Sequence, residues 1–244
     1  MNRTAALRLE GVTRRFGGLL AVDSLDIAIA EHEMLGLIGP NGSGKTTVIN
    51  LISGALGNDA GRILLYGEEV SGRPANAIAR KGIARTFQIV RMLPGLSVLE
   101  NVCAGGHAGY RRRWGAELED FAAALLARVG LAGAESAPVS ALTYIDQKRV
   151  ELARALASEP RVLLLDEWLA GLNPTELQSG FALIESLRAE GRTIVVVEHV
   201  MDAIRSLCDR CVAMNGGAKI AEGTPAEVLA DAEVIRAYLG DADA

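Results

Sequence analysis

Three short apolar runs punctuate the chain: MLGLIG at 34–39, RVLLLDE at 161–167 and TIVVVEH at 193–199. Each is too short for a helix and apolar at nearly every position, the pattern of a strand buried on both faces. A helical period follows each one, in TTVINLISGAL, TELQSGFALIESLRAEG and VMDAIRSLC. Apolar strands alternating with helices predict an α/β fold with a mainly parallel sheet covered on both sides. Residues 7–12 and 22–29 flank a Gly17-Gly18 turn and, with GRILLYG at 61–67, read as short antiparallel strands. IARTF at 83–87 is a further strand, leading into an irregular segment with Pro94 and Gly95.

From about 97 to 157 the pattern turns helical, as in an inserted lobe. Ser97 with Glu100 three residues on caps the first helix, and ELEDFAAALLARVGL is a second, ending near Gly130. LTYIDQKRVELARAL is a third, where Thr143 and Asp146 read as a capping box and Val150, Ala153, Leu156 and Ala157 recur at helical spacing. RCVAMNGGAKIAEG predicts a hairpin and PAEVLADAEVIRAYLG an amphipathic helix.

At 244 residues, half of them hydrophobic and with near-average charge, the chain can bury a sizeable core and is not a disordered sequence. The net charge of -5 argues against a nucleic-acid partner. No apolar run reaches the roughly 20 residues a bilayer crossing needs, and MNRTAALRLEGV lacks the apolar core of a signal peptide. A cytosolic location is therefore expected, with any membrane role exerted through a partner. Three cysteines make no disulfide framework; Cys208 and Cys211 form C-x-x-C without a second pair, a spacing that fits a helical face or helix end better than a metal site.

The chemistry starts at Gly39-Pro40-Asn41-Gly42-Ser43-Gly44-Lys45-Thr46, which matches G-x-x-x-x-G-K-[ST] between a predicted strand and a predicted helix. Glycines let backbone N–H groups and the helix N-terminus close around a phosphate. Lys45 then reaches the outer phosphates, and Thr46 offers a hydroxyl to Mg²⁺. Asp166 at a strand end suits the Mg²⁺ water shell, and Glu167 a general base facing the attacking water. His199 ends the next strand. A lone histidine is commonly structural, but ligands bind at the carboxyl ends of strands in such sheets, where all these groups converge.

In the order phosphate loop, Gln88 in RTFQ, LTYIDQKRVELARAL, LLLDE, GLNP and His199, the chain resembles an ABC-transporter ATP-binding subunit over essentially its whole length. RTFQIVRMLPGLSVLENV, AGLNPTE and AEGTPAEVLADAEVIRAYLG resemble the ATPase subunits of branched-chain amino-acid importers; a urea or amide importer, an exporter ATPase of similar sequence, or a nucleotide-binding subunit that gates a complex with little hydrolysis are the alternatives. The resemblance implies a P-loop NTPase (RecA-like) core with an antiparallel β subdomain and an inserted α-helical subdomain. It implies one ATP-binding domain over 1–244, with a catalytic lobe of 1–90 plus 158–244 and a helical lobe of about 91–157. It implies ATP and Mg²⁺ as ligands, held by Gly39, Asn41, Gly42, Ser43, Gly44, Lys45, Thr46 and Thr47. Phe16 matches the aromatic that stacks on adenine, although beside a Gly-Gly turn it could as easily be core. Gln88 matches the glutamine that approaches Mg²⁺ and the attacking water. Glu167 matches the catalytic base, His199 the histidine on the γ-phosphate, and Ala170 to Asn173 the loop crossing a dimer interface. Two cassettes then sandwich two ATP molecules, each between one chain's phosphate loop and the other's signature helix. The helical lobe docks on membrane-spanning permease subunits, which receive cargo from a substrate-binding protein. That assembly puts the chain peripherally on the cytoplasmic face of the inner membrane. Single short cassettes are unlike the soluble ABC ATPases of translation or DNA repair.

The sequence departs from the family at two places. The signature, commonly LSGGQ and in the importer subfamily a form like LAYGQ, reads Leu142-Thr143-Tyr144-Ile145-Asp146. Ile145 puts a β-branched side chain where glycine allows close approach to the partner's phosphate, and Asp146 adds a negative charge. A carboxylate reaching back to the cap would occupy donors that otherwise favour an anion. The expectation is asymmetric competence, with an intact phosphate loop and a signature that serves a partner's ATP poorly. Trp168 stands where the family usually has proline, and reads as a packing variant. The basic, aromatic Tyr110-Arg111-Arg112-Arg113-Trp114 reads as a solvated loop, with lipid, nucleic-acid or docking roles as alternatives.

Overall fold

A computed structural model describes residues 5–239. The chain opens with the long hairpin β1 (Ala5–Phe16) and β2 (Leu19–Ala30), then β3 (Met34–Ile38) and α1 (Lys45–Ile52). Next come β4 (Ala60–Leu65), β5 (Glu68–Glu69), α2 (Ala75–Lys81) and β6 (Ile83–Arg85). The helices α3 (Val98–Ala108), α4 (Gly115–Arg128) and α5 (Tyr144–Ala157) follow. The chain then alternates β7 (Val162–Asp166), α6 (Pro174–Ala189), β8 (Thr193–Val197) and α7 (Met201–Leu207). It closes with the hairpin β9 (Arg210–Asn215) and β10 (Ala218–Gly223), then α8 (Pro225–Ala230) and α9 (Ala232–Leu239).

Two sheets form. One is antiparallel in the order β2-β1-β4-β5; the other runs β10-β9-β3-β8-β7-β6, parallel except for its β10–β9 edge pair. All five residues of β3, of β7 and of β8 are buried. The period-two alternation of side chains divides them between two cores. Leu35, Leu37, Leu164, Val195 and Val197 face the antiparallel sheet and α1. Met34, Ile38, Leu163, Leu165, Ile194 and Val196 face the helical side. Three consecutive strands thus aim their carboxyl ends at one edge, where the chemistry-bearing residues begin.

The apolar runs locate the central strands well, and the polar connections less so. The first hairpin extends several residues beyond 7–12 and 22–29, because cross-strand pairing continues where β1 turns polar, with Arg14 opposite Val22 and Arg15 opposite Leu20. The last helix is two helices: the Asp231 carboxylate accepts the N–H groups of Glu233 and Val234 and caps α9, which ends α8 at Ala230. Cys208 ends α7 while Cys211 lies in β9, so they share no helical face; both thiols are buried and pack against Gly36.

Candidate functional site

β3 delivers the chain into the phosphate loop and α1 starts at Lys45. Gly39 and Gly44 have φ of 145° and 106°, and a Cβ would lie 2.2 Å from the Met214 carbonyl at Gly39 and 2.4 Å from the Ala21 carbonyl at Gly44. Only glycine fits either position. Ser43 is buried, and Lys45 Nζ donates to the carbonyls of Gly39 (2.7 Å) and Pro40 (2.9 Å). Burial lowers the Lys45 pKa, while Glu167 and then Asp166 oppose that fall. The N-cap of α1 is Gly44, with no side-chain cap and no acid in the first turn. Its first-turn N–H groups have no intrahelical acceptor and face the site as a positive end.

A cleft of about 450 Å³ opens over this loop. Asn41, Gly42, Gly44, Lys45, Thr46 and Thr47 line it, together with Phe16 from the end of β1 and Gln88 and Glu167 from beyond β6 and β7. Phe16 is 43% exposed, a cleft residue and not a core one, with the Arg14 guanidinium 4.9 Å from its ring centroid.

Glu167 follows the last residue of β7 with φ 50°, a left-handed conformation that a non-glycine residue adopts only under constraint. Its N–H donates to the Val197 carbonyl. Its carboxylate is gripped from two sides: Gln88 Nε2 donates to Oε2 at 2.7 Å, and His199 Nε2 lies 3.0 Å from Oε1. Three residues far apart in sequence therefore meet on one carboxylate. A carboxylate held at the mouth of a cleft over the phosphate loop can accept a proton from a water there.

Asp166 is buried. Burial pushes its carboxyl above the ordinary range, and the Arg85 guanidinium, 3.0 Å from Oδ2, opposes the rise. Arg85 is in turn anchored to Asn50 Oδ1 and Ser53 Oγ at the end of α1. The other oxygen, Oδ1, is buried and has no hydrogen-bond partner. A buried, unused carboxylate oxygen, together with Thr46 and Gln88 lining the phosphate-loop cleft, is an oxygen set that suits a hard divalent cation.

Thr143, Tyr144, Ile145 and Asp146 do not line the cleft, and the Tyr144 hydroxyl reaches its edge by donating to the Gln88 carbonyl at 3.4 Å. Thr143 caps α5 by accepting from the Asp146 N–H at 3.3 Å. The reciprocal bond expected of a capping box does not form. Aspartate is one methylene shorter than glutamate, and Asp146 Oδ2 instead accepts the Thr143 hydroxyl (2.7 Å) while Oδ1 pairs with Arg149 at 3.0 Å. The acid is thus compensated by a cation within its own helix. Ile145 is half-buried and lines a separate hollow with Trp168 and Gly180, while Thr143 and Tyr144 are exposed. Trp168 is 1% exposed, as a packing residue is, and its Nε1 donates to the Lys148 carbonyl. In the 110–114 segment Arg113 is consumed by Glu117 and Glu159, and Trp114 stands exposed beside His107.

Sequence reading passed over Arg85, Lys148 and Glu198. Arg85 carried a signal: a basic residue ending one strand, with an acid ending another. Lys148 and Glu198 carried none, since a charged residue flanking an apolar pattern is usually solvated.

A glycine-rich loop feeding a helix at the carboxyl edge of a parallel sheet, with acids ending the neighbouring strand, defines a P-loop nucleotide-binding protein. The chain belongs to the ABC transporter family, whose model matches residues 22–170. The model for the branched-chain amino acid ATP-binding cassette transporter matches 218–244. The chain is 40% identical, over 97% of its length and 98% of the relative's, to the high-affinity branched-chain amino acid transport ATP-binding protein BraF of Pseudomonas aeruginosa. LivG of Escherichia coli, a protein of the same description, matches at the same identity and coverage. Among solved structures, the ADP conformation of the ATP-binding cassette MJ1267 superposes with a TM-score of 0.87 at 30% identity, covering 97% of this chain and 99% of that one. The dimeric post-hydrolysis cassette MJ0796, bound to ADP and Pi, superposes at 0.81 with 25% identity, covering 90% and 98%.

Proposed function

We propose that this chain is the ATP-hydrolysing subunit of an importer for branched-chain or other hydrophobic amino acids. The observation that carries the reading is Glu167, held between Gln88 and His199 at the edge of the phosphate-loop cleft. The names of BraF and LivG support the cargo, and their full-length match supports the same kind of assembly. That assembly comprises a second cassette, membrane-spanning permeases and, through them, a substrate-binding protein. It puts the chain on the cytoplasmic face of the inner membrane, peripherally; no helix among the described residues is long and apolar enough to cross one.

Phosphates lie on the backbone N–H groups of Gly42 and of Gly44 to Thr47, with Lys45 as the neutralising cation, and Phe16 takes the adenine on its exposed face. Thr46, Gln88 and Asp166 are the residues that would hold Mg²⁺, which when bound offsets charge on the β- and γ-phosphates. Glu167 orients the attacking water and takes its proton. His199 fixes the Glu167 carboxylate and faces the γ-phosphate. Gln88 touches both the carboxylate and the cleft, so it links the site to the helical side of the molecule. Glu167→Gln keeps the shape and removes the base, and is expected to lower steady-state ATP turnover by about 10²–10⁴-fold while Mg-ATP binding persists. Equal turnover by the variant and the wild type would refute Glu167 as the base.

The start of α5 favours a refinement. Unlike α1, it is capped by a hydroxyl and carries an acid, so it offers less positive field to a partner's phosphate. The chain then works best in a heterodimer, hydrolysing ATP opposite another cassette's signature and contributing weakly to the second site. With its own signature on both sites, a homodimer acts more as a nucleotide-binding gate than as a fast ATPase.

A further inference from the structure

Glu167 can hold its left-handed backbone only if its surroundings over-determine it. The constraint comes from a buried lysine. Lys148, on the second turn of α5 and 1% exposed, directs Nζ at the turn that follows β7. It donates to the carbonyls of Ala170 (2.6 Å), Trp168 (2.9 Å) and Glu167 (3.3 Å). An ammonium has three hydrogens, and all three are used on one turn of backbone. Trp168 returns the contact, its indole N–H meeting the Lys148 carbonyl at 3.1 Å. From the opposite side, Glu198 at the end of β8 accepts the Leu169 N–H at 2.7 Å. Ala170 N–H closes the turn on the Glu167 carbonyl.

A solvated lysine would not be spent in this way. Taking an ammonium out of water is unfavourable unless it is fully hydrogen-bonded and faced by opposite charge. Three carbonyls supply the bonds, and Glu198, Glu151 and Glu167 supply the charge. Glu198 is itself wholly buried, with Oε2 lacking any hydrogen-bond partner. Burial lowers the Lys148 pKa and raises that of Glu198, and the charge of each opposes the other's shift.

We propose that Lys148, with Trp168, is a positioning residue for hydrolysis: the pair welds the start of α5 to the Glu167 turn. A displacement imposed on Thr143–Asp146 by a partner's nucleotide is then delivered directly to this chain's own Glu167. Trp168 is the other half of the device, since proline at that position has no indole to return the contact. The proposal rests on the reading of Glu167 as the base.

The test compares full-length wild type, Lys148→Met, Lys148→Arg and Trp168→Phe with Mg-ATP. Lys148→Met is expected to lower kcat at least tenfold while KM for ATP and calorimetric Mg-ATP affinity stay within about twofold. Lys148→Arg, which keeps a buried multi-donor cation, restores kcat to within about threefold of wild type. Trp168→Phe removes the indole donor together with part of the buried ring, lowers kcat about threefold, and serves where Lys148→Met fails to fold. A second readout does not need hydrolysis. In a Trp114→Phe background Trp168 is the sole tryptophan, and Lys148→Met is expected to red-shift its emission where Lys148→Arg does not. Wild-type kcat in Lys148→Met would overturn the catalytic role, and unshifted emission would overturn the weld. Equal rates for wild type and Glu167→Gln would strike the base reading instead, and the emission would still decide whether α5 and the turn are joined.

Discussion

At the scale of single residues, the site is built from side chains whose value lies in what restrains them. Phe16, 43% exposed at the cleft, is held less tightly than Glu167 or Asp166. Base–aromatic stacking contributes about 1–3 kcal/mol, so Phe16→Ala is expected to weaken Mg-ATP binding roughly five- to 150-fold in a titration, with kcat at saturation little changed. An unchanged affinity would return Phe16 to a bystander role. Glu198 gives a pH prediction. Burial raises its carboxyl to about 7, against Lys148, from the ordinary 4.5. The folded chain therefore binds this proton more tightly than the unfolded chain does. The associated stability is full below the ordinary value and is lost as pH rises through about 7, amounting to about 3 kcal/mol at most. Glu198→Gln keeps the acceptor for Leu169 and cannot ionise, so its melting temperature should fall less between pH 5 and 8 than that of the wild type. Parallel curves would deny the burial effect. These two residues differ in how legible they were. Phe16 was found through its match to a family position, and only the structure chose the cleft over the core. Glu198 sits at the end of an apolar strand, where nothing local distinguishes a buried acid from a solvated one.

At the scale of elements, helix starts decide which ends are open to anions. α1 begins on glycine with no cap; α5, α6 and α8 begin on Thr143, Asn173 and Thr224, each bonding its own first turn. The contrast motivates Ile145→Gly with Asp146→Gln, which removes both the β-branch and the acid from α5. In the assembled complex the double variant is expected to raise ATP turnover severalfold, and no change would count against asymmetric competence. A second element reaches the loop from the chain's end. Tyr238 of α9 accepts the Gly39 N–H at 2.7 Å. Tyr238→Phe leaves that amide without its acceptor, which costs about 1–3 kcal/mol for a buried group, and should lower the melting temperature while Mg-ATP partly restores it. Cap residues were readable because their chemistry is local: Ser97 with Glu100 forms the box that the spacing predicts. The two-residue β5 and the seven-residue α2 were not, because one is a short edge pair of glutamates and the other begins after Pro74 without a side-chain cap.

At the scale of the whole molecule, the sheet order brings together what the sequence scatters. β3, β7 and β8 are neighbours, and their ends deliver Gly39, Asp166 with Glu167, and His199 to one edge. The apolar runs announced those strands, and the strand-end rule announced their meeting point. What pattern reading could not supply was the set of long-range polar bonds, such as Arg85 to Asp166 and Lys148 to the 167–170 turn, because partners 19 to 81 positions apart leave no periodic trace. The site is half of a larger one in this reading, with α5 facing outward to a second cassette. The core of the account is nevertheless contained in one chain: Mg-ATP seated on the phosphate loop. Isothermal titration of the folded full-length protein with Mg-ATP tests it most directly. The account predicts a saturable one-site isotherm for the wild type and at least a tenfold loss of affinity in Lys45→Ala. A wild type that takes up no Mg-ATP, or a Lys45→Ala variant that binds it equally well, would contradict it.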